Sequence, residues 1–287
     1  MRRALVPVLV VVAVAIGLFG YFSERSSRQT YYEAGSGASQ NRVDLNVTVQ
    51  RVDTTARDLL LRVTATVHGD LADQDNPLVP DQDLVVETTS LTTATLRFPA
   101  HERISLQEIR IGLQDGVASD YPFDSYTAVP GFYVEEAGAP VPVSTTVENA
   151  DPFFTAELTG ANSTPGEVTV SARVSRSRST VILAVFMMCA MWAIALSVLI
   201  GALVIIRRRL GLVWPAFGWM AASLFALVSF RNAAPGSPPI GSLLDYVAFF
   251  WPEAIITVSL VAVIVAGARQ KAVSPSTTAT APRTPPG

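Results

Sequence analysis

The sequence predicts a multi-pass membrane protein with an extracytoplasmic all-β, sandwich-like domain and an α-helical transmembrane bundle of four helices. Mean hydropathy is +0.36 and only 16% of the 287 residues are charged, whereas soluble proteins typically carry about 25% charged residues. Four apolar runs are each long enough to cross a bilayer, which takes about 20 residues. Between the first and second runs, apolar and polar residues alternate with a period of two, which is typical of half-buried β-strands.

The net charge of −3 combines two regions of opposite sign. Residues 23–180 hold 22 of the 24 acidic residues and 12 of the 21 basic residues, a net charge of −10, and the remainder carries +7. This acidic balance excludes a strongly basic nucleic-acid binder, so we predict no nucleic-acid partner. The single cysteine excludes a disulfide scaffold within the chain.

The predicted transmembrane segments are, in chain order, residues 1–22, 180–206, 212–230 and 247–266. The first is predicted to be an uncleaved signal anchor, with a cleaved signal peptide as the alternative. Arg2, the three arginines at 207–209 and Arg269 flank the segments. Because short cytoplasmic loops collect basic residues, they predict cytoplasmic N- and C-termini in the plasma membrane, with residues 23–180 extracytoplasmic. Residues 267–287 are predicted to be a disordered cytoplasmic tail.

The extracytoplasmic part divides into a Gly/Ser-rich linker, residues 23–41, and a β-sandwich, residues 42–178. Alternation and Pro/Gly punctuation predict seven to nine short strands. The candidate strands are residues 43–49, 59–67, 84–98, 109–113, 132–135, 141–147, 153–158 and 168–174.

Acidic residues crowd into the turn after the second of these strands. They are Asp70, Asp73, Asp75, Asp81 and Asp83. Carboxylates are the ligands that Ca²⁺ prefers, but the spacing differs from that of an EF-hand, so we predict a solvated acidic turn, with a calcium site as the alternative.

The two histidines, His68 and His101, lack any spacing typical of a zinc or catalytic site, and we interpret them as ordinary strand-end residues. We therefore predict no metal, no cofactor and no catalytic residue, and expect that the protein is not an enzyme.

A compact aromatic turn lies at 121–126, with the sequence YPFDSY. Its candidate residues are Tyr121, Pro122, Phe123, Asp124 and Tyr126. Asp124 is expected to accept hydrogen bonds from backbone amides or from an arginine, while the aromatic rings anchor the turn to the core or to the membrane surface. The turn is predicted to be a structural corner between strands, with a coupling loop that rests on the transmembrane helices as the alternative.

A Pro/Gly-rich outer loop, residues 231–246, precedes the fourth predicted span. The candidate residues here are Arg231, Pro238, Pro239, Gly241, Asp245, Trp251, Pro252 and Glu253. Acids in apolar sequence are costly unless they are paired, so we expect Arg231 to bind Asp245 or Glu253. Alternatively, Glu253 follows Pro252 at the first helical turn and only favours the helix N-terminus.

With YPFDSY at 121–126 and RNAAPGSPPIGSLLDYVAFFWPE at 231–253, the chain resembles a membrane-protein family of actinobacteria and fungi, domain-of-unknown-function family 4436. The resemblance spans the folded chain from the first to the fourth predicted span. It implies the layout described above and brings no assigned activity, cofactor or catalytic residues.

We therefore expect a non-enzymatic integral membrane protein of the cell envelope, whose β domain binds or scaffolds a partner. The expected partners are the lipid bilayer and either an envelope protein or further copies of the chain. A channel or transporter component that uses Arg231, Asp245 and Glu253 is the alternative. An envelope enzyme would require His68, His101 and a carboxylate cluster to meet.

Overall fold

The computed structural model describes residues 32–35, 37–210 and 213–273, together with the single positions Ala15, Gly17, Gly20 and Phe22. Most of the predicted signal anchor, much of the linker and most of the predicted tail lie outside the described residues. The chain divides into two compact units. The first contains the β domain, the chain as far as Ala184 and Pro238–Leu243; the second contains Val185–Ser237 and the chain from Leu244 onwards.

The β domain is a mixed open sheet of twelve strands. They are β1 Tyr32–Gly35, β2 Arg42–Asp53, β3 Asp58–His68, β4 Leu84–Thr88, β5 Thr95–Phe98, β6 Gln107–Gln114, β7 Ser125–Ala128, β8 Gly131–Glu136, β9 Ala139–Pro140, β10 Val143–Asn149, β11 Phe154–Thr164 and β12 Glu167–Arg176. The spatial order is β1-β10-β2-β3-β6-β7-β12-β8-β4-β5, with β11 beside β12 and β9 beside β8. The β10–β2 pair is parallel, and the other described pairs are antiparallel.

Strand β6 joins the two halves of the sheet. Its residues from Gln107 to Gly112 pair with β3, while Leu113 and Gln114 pair with β7. Buried side chains from β2 and β3 in one half and from β4, β8 and β12 in the other belong to one hydrophobic core. The two halves of the sheet therefore share one apolar core.

The period-two pattern correctly identifies the core-facing rows. In β2, Val43, Leu45, Val47 and Val49 are buried, and their neighbours are less so. A β-bulge between Val49 and Arg51 then shifts the pairing with β3. The strand continues past this point and returns Val52 to the core, which the strict alternation rule does not anticipate.

Other strands differ from the prediction because local hydrogen bonds or short length override periodicity. The predicted strand 84–98 is two strands, β4 and β5, since the Ser90 hydroxyl accepts the backbone N–H groups of Thr92 and Thr93 at 3.2 Å and closes a turn. Strands β7 and β9 are too short to show a period. Strand β1 lies in the segment that we predicted as a linker, where pairing with β10 orders it.

Three α-helices follow the sheet in the described part of the chain: α1 Arg178–Arg207, α2 Trp214–Asn232 and α3 Phe250–Val273. A π-helical turn, Asp245–Phe249, leads into α3. The segments Arg178–Arg207 and Asp245–Gln270 are long and apolar enough to cross a membrane. Most of the first of the four predicted helices lies outside the described residues.

Leu61 tests the shared core, because its side chain is 1% exposed in the centre of β3. We expect Leu61→Ala to lower the free energy of unfolding by about 2–5 kcal/mol, since it removes buried methyl groups and leaves a cavity. Leu60→Ala, on the opposite face of the same strand, is the matched control and should cost much less. Urea unfolding of the detergent-solubilised chain, followed by far-UV circular dichroism, measures both; equal losses would contradict the described register.

Candidate functional site

The sheet passes directly into the first apolar helix. Strand β12 ends at Arg176 and α1 begins at Arg178, so Ser177 alone separates them. The Ser177 backbone N–H donates to the Phe153 carbonyl at 2.9 Å, and the Thr180 hydroxyl donates to the same carbonyl at 3.1 Å. The Ser177 hydroxyl accepts the Thr180 backbone N–H at 3.3 Å, which satisfies a free N–H at the helix start.

A buried ion pair lies at this junction. The Nε of Arg176 is 2.9 Å from Oδ1 of Asp124, and its Nη2 is 3.1 Å from Oδ2. The two side chains are 1% and 0% exposed. A bidentate arginine–carboxylate contact has the geometry that holds a buried pair together, and burying either charge without its partner would cost several kcal/mol.

Aromatic rings enclose the pair. The guanidinium carbon of Arg176 lies 4.1 Å from the ring centroid of Phe154 and 4.9 Å from that of Tyr121, within the range of cation–π contacts. The Tyr126 hydroxyl donates to Oδ2 of Asp124 at 3.0 Å. We call these five residues, Tyr121, Asp124, Tyr126, Phe154 and Arg176, the junction cluster.

Burial shifts the titration of both tyrosines in the junction cluster. It raises the pKa of Tyr121 to about 12. Burial also raises the pKa of Tyr126, and the negative charge of Asp124 raises it further. Two polar atoms in the cluster, the Tyr121 hydroxyl and Nη1 of Arg176, are buried and have no hydrogen-bond partner in the described part of the chain.

The YPFDSY turn therefore supplies three members of the cluster, and Asp124 binds an arginine rather than only backbone amides. Pro122 is buried too, whereas the Phe123 side chain is 63% exposed. Sequence reasoning did not identify Arg176 as a site residue. The alternation in β12 could have identified Arg176 as buried, because it continues the inward-facing row of Val168, Val170, Ala172 and Val174.

A second ion pair lies in the helical unit. Nε of Arg231 is 2.9 Å from Oδ1 of Asp245, and Nη2 is 3.0 Å from Oδ2. The side chains are 13% and 1% exposed. Of the two predicted partners for Arg231, Asp245 is the one that it contacts. Asp245 also begins the π-helical turn, and the indole N–H of Trp192 on α1 donates to the Val247 carbonyl of that turn at 3.0 Å.

The other candidate residues of the 231–253 segment are divided between the two compact units. Glu253 is in the first turn of α3, half-buried, and its carboxylate makes no hydrogen bond or ion pair to any described residue. Trp251 is 64% exposed and Pro252 is buried. Pro238, Pro239 and Gly241 belong to the first unit. Gly241 has φ +86°, a backbone conformation that favours glycine.

The two histidines pair with different aspartates. Nε2 of His68 lies 2.8 Å from Oδ2 of Asp44, while Nδ1 of His101 contacts Oδ2 of Asp73. They do not form a common site with each other in these contacts.

Family comparison divides the chain at the junction. Residues 33–174 match the family described as Domain of unknown function (DUF4436), and residues 176–270 match the family described as Domain of unknown function (DUF8686). The chain is a DUF4436 domain followed by a DUF8686 domain. No curated protein matches the chain.

The resemblance to family 4436 is thus confirmed for the sheet but does not extend over the helices. The YPFDSY turn lies in the DUF4436 domain, whereas the 231–253 motif lies in the DUF8686 domain. The buried ion pair joins the two family segments, because Asp124 belongs to the DUF4436 match and Arg176 is the first residue of the DUF8686 match.

Breaking the buried pair should be strongly destabilising. We expect Asp124→Asn to lower the free energy of unfolding by about 3–5 kcal/mol, since it leaves the Arg176 charge buried without a counter-ion. Adding Arg176→Met to Asp124→Asn should recover part of this loss. Glu108→Gln is the matched control, because it removes the exposed pair with Arg62, whose atoms are 3.5 Å apart, and should leave the urea midpoint unchanged. Equal effects at the two sites would contradict the role of the junction cluster.

The two cluster tyrosines should respond differently to removal of their hydroxyls. Tyr121→Phe is expected to keep full stability at pH 8, because the hydroxyl that it removes is buried without a partner. Tyr126→Phe loses the bond to Asp124 and should cost about 1.5–3 kcal/mol. Because folding raises the pKa of Tyr121 from its usual value of about 10 to about 12, wild-type stability should fall as pH rises through this window. In Tyr121→Phe that decline should be shallower; an unchanged slope in urea titrations would refute this assignment.

Proposed function

We propose that this protein is an integral membrane protein of the cell envelope whose DUF4436 domain is a non-enzymatic binding or scaffolding module held at the membrane surface. One observation carries the proposal. The core strand β12 continues through a single residue into a 30-residue apolar helix, and a buried ion pair with its aromatic enclosure fixes that connection.

The length and exposure of the helices support the membrane part of the proposal. At about 1.5 Å per residue, α1 extends about 45 Å, which exceeds the roughly 30 Å hydrocarbon core of a bilayer. In the most apolar windows of Arg178–Arg207 and Asp245–Gln270, only 22% and 28% of the residues are buried. A core helix of a soluble protein would be mostly buried, so these apolar surfaces need lipid or another protein to cover them.

Exposed apolar side chains at the junction support contact between the DUF4436 domain and lipid. Phe123 and Phe153 are 63% and 40% exposed, and Ile182 and Leu183 in the first turns of α1 are 59% and 46% exposed. The Phe153 carbonyl accepts hydrogen bonds from Ser177 and Thr180, so this aromatic residue lies beside the helix start. Aromatic side chains at the end of a span favour the interface between lipid and water.

The rigidity of the junction supports the scaffolding part. Ser177 and Thr180 are hydrogen-bonded to the sheet domain, and the preceding residue is locked by two bonds to one carboxylate. A short connection without a free linker holds the first turns of α1 in a set position on the sheet. Such a connection suits a domain that presents a surface at a defined height above the bilayer.

Cysteine labelling tests the membrane arrangement, because Cys189 is the single native cysteine. In a Cys189→Ala background we expect Thr92→Cys, an exposed position between β4 and β5, to react with a membrane-impermeant maleimide in intact cells. Arg208→Cys, exposed after α1, should react only after lysis. The Cys189→Ala chain alone is the control for background. Labelling of both positions, or of Arg208→Cys alone, in intact cells would overturn the proposed topology.

The same variants test the binding role. Thr92→Cys and Glu102→Cys, both exposed on the DUF4436 domain, can carry a photoreactive maleimide. We expect at least one of them to give a reproducible cross-linked species in intact cells, either with another envelope protein or with a second copy of the chain. Arg208→Cys is the matched control for contacts on the opposite side. Only uncross-linked monomer from all exposed positions would contradict a scaffolding module.

The Arg231–Asp245 pair favours a second candidate function, a channel or transporter component. Ionisable residues inside membrane-spanning segments are costly and commonly mark ion or proton pathways. Asp245 is 1% exposed, lies in a segment apolar enough to span a membrane and begins a π-helical turn, a feature that is frequent at functional sites. The carboxylate of Glu253, which pairs with no described residue, lies about two helical turns further along.

Flux measurements in liposomes test this second candidate. If the pair and Glu253 serve a pathway, purified chain should carry protons or cations, and both Asp245→Asn and Glu253→Gln should reduce the flux several-fold. Glu253→Gln is the more secure variant, because its carboxylate bonds to no described residue and its loss should not unfold the chain. Asp115→Asn, an exposed position in the sheet domain, is the control. No flux, or flux unchanged in both variants, would exclude this function.

A further inference from the structure

Two loops of the sheet domain bring metal-ligating side chains together. Asp73 and Asp81 lie between β3 and β4, and His101 follows β5. One carboxylate oxygen from each aspartate and one ring nitrogen of His101 all lie within 4.8 Å of one another. We propose that Asp73, Asp81 and His101 form a binding site for one divalent transition-metal ion, which is independent of the membrane role proposed above.

The spacing fits the size of a coordination sphere. Zinc binds histidine nitrogen and carboxylate oxygen at about 2.0–2.2 Å. Ligand atoms on opposite sides of such an ion are therefore at most about 4.4 Å apart. The three donor atoms, all within 4.8 Å of one another, are close to this range, and water would complete the coordination.

Asp73 is held in the orientation that a ligand needs. Its Oδ1 accepts the backbone N–H groups of Asp75 and Asn76 at 2.7 and 3.0 Å. Its Oδ2 faces Nδ1 of His101. Hydrogen bonds of this kind orient carboxylate ligands in known metal sites. Because histidine and carboxylate ligands bind metals in their deprotonated forms, an ion held by these two atoms would replace the hydrogen bond between them.

Asp81 is the member of the cluster that lacks a counter-charge. Its carboxylate makes no hydrogen bond or ion pair to a described residue, whereas Asp73 and His101 contact each other. A cation held by all three donor atoms would give Asp81 a partner.

Two of the remaining acids of the turn, Asp70 and Asp83, have other partners, which distinguishes this site from a calcium loop. Asp83 accepts the Ala100 backbone N–H at 2.9 Å, and Asp70 accepts a bond from the Asn41 side chain at 2.9 Å. A site with one imidazole and two carboxylates suits Zn²⁺ or Mn²⁺, whereas Ca²⁺ prefers six to eight oxygen ligands. A cleft of about 620 Å³, lined by Asp73, Asp81 and His68 among others, gives an ion access.

Calorimetric titration of the full, tag-free chain in detergent with Zn²⁺, Mn²⁺ and Ca²⁺ tests the proposal. We expect about one Zn²⁺ or Mn²⁺ per chain, with affinity reduced at least tenfold in Asp81→Asn and in His101→Asn. Asparagine is the replacement of choice at position 101, because it tolerates the φ of +58° that His101 adopts. Circular dichroism and the urea midpoint verify that each variant is folded.

His68→Asn is the matched control, since His68 lines the same cleft but pairs with Asp44. It should bind the ion as tightly as the wild-type chain. The proposal is overturned if neither Zn²⁺ nor Mn²⁺ binds, or if His68→Asn weakens binding as much as His101→Asn. Binding of Ca²⁺ alone, unaffected by His101→Asn, would equally overturn it, and would identify an acidic turn that attracts cations without the histidine.

Discussion

The contact between Arg176 and Asp124 is the interaction on which the junction of sheet and helix depends. Two charges removed from water are costly, and the cost is offset only where geometry is good and the remaining polar atoms find partners. Here a bidentate contact, a tyrosine hydroxyl on the carboxylate and two aromatic rings on the guanidinium supply most of that compensation. The Tyr121 hydroxyl and Nη1 of Arg176 have no hydrogen-bond partner among the described residues.

This contact has a clear place in the domain organisation. The DUF4436 match ends at residue 174 and the DUF8686 match begins at residue 176, yet the pair holds one residue from each. The last core position of β12 thus does two things at once. It completes the inward row of the strand, and it anchors the chain at the point where the apolar helix starts, within the compact unit that includes the first turns of α1.

The same chemistry recurs in the helical unit. Arg231 and Asp245 also form a bidentate contact with the carboxylate almost fully buried, and the acid again lies where regular structure changes, at a π-helical turn. In both places a charged pair is located at an element boundary rather than in the middle of a strand or helix. A buried ion pair with defined geometry restricts the number of ways in which neighbouring segments can join. The two sites have this role in common.

Much of the architecture follows from the sequence because periodicity and apolar length are local properties. The alternation in β2, β3 and β12 identified the core-facing rows, and the apolar runs located the three described helices, although α3 continues seven residues beyond the predicted end at 266. Periodicity did not predict two features of the sheet. The Ser90 hydroxyl closes a turn inside the predicted strand 84–98, and the short strand β1 is ordered by pairing with β10, which is distant along the chain.

The sites divide in the same way. YPFDSY and the 231–253 segment were recognisable from composition, and the pairing of Arg231 with an acid followed from the cost of a lone charge in apolar sequence. The partner of Asp124 lies 52 residues away along the chain, and the aspartates that meet His101 lie on a separate loop. By itself the sequence determined which segments are apolar and which rows of apolar side chains face the core in β2, β3 and β12. Only the tertiary structure decided which charges meet, because pairing across a sheet depends on strand order and register, which no local pattern encodes.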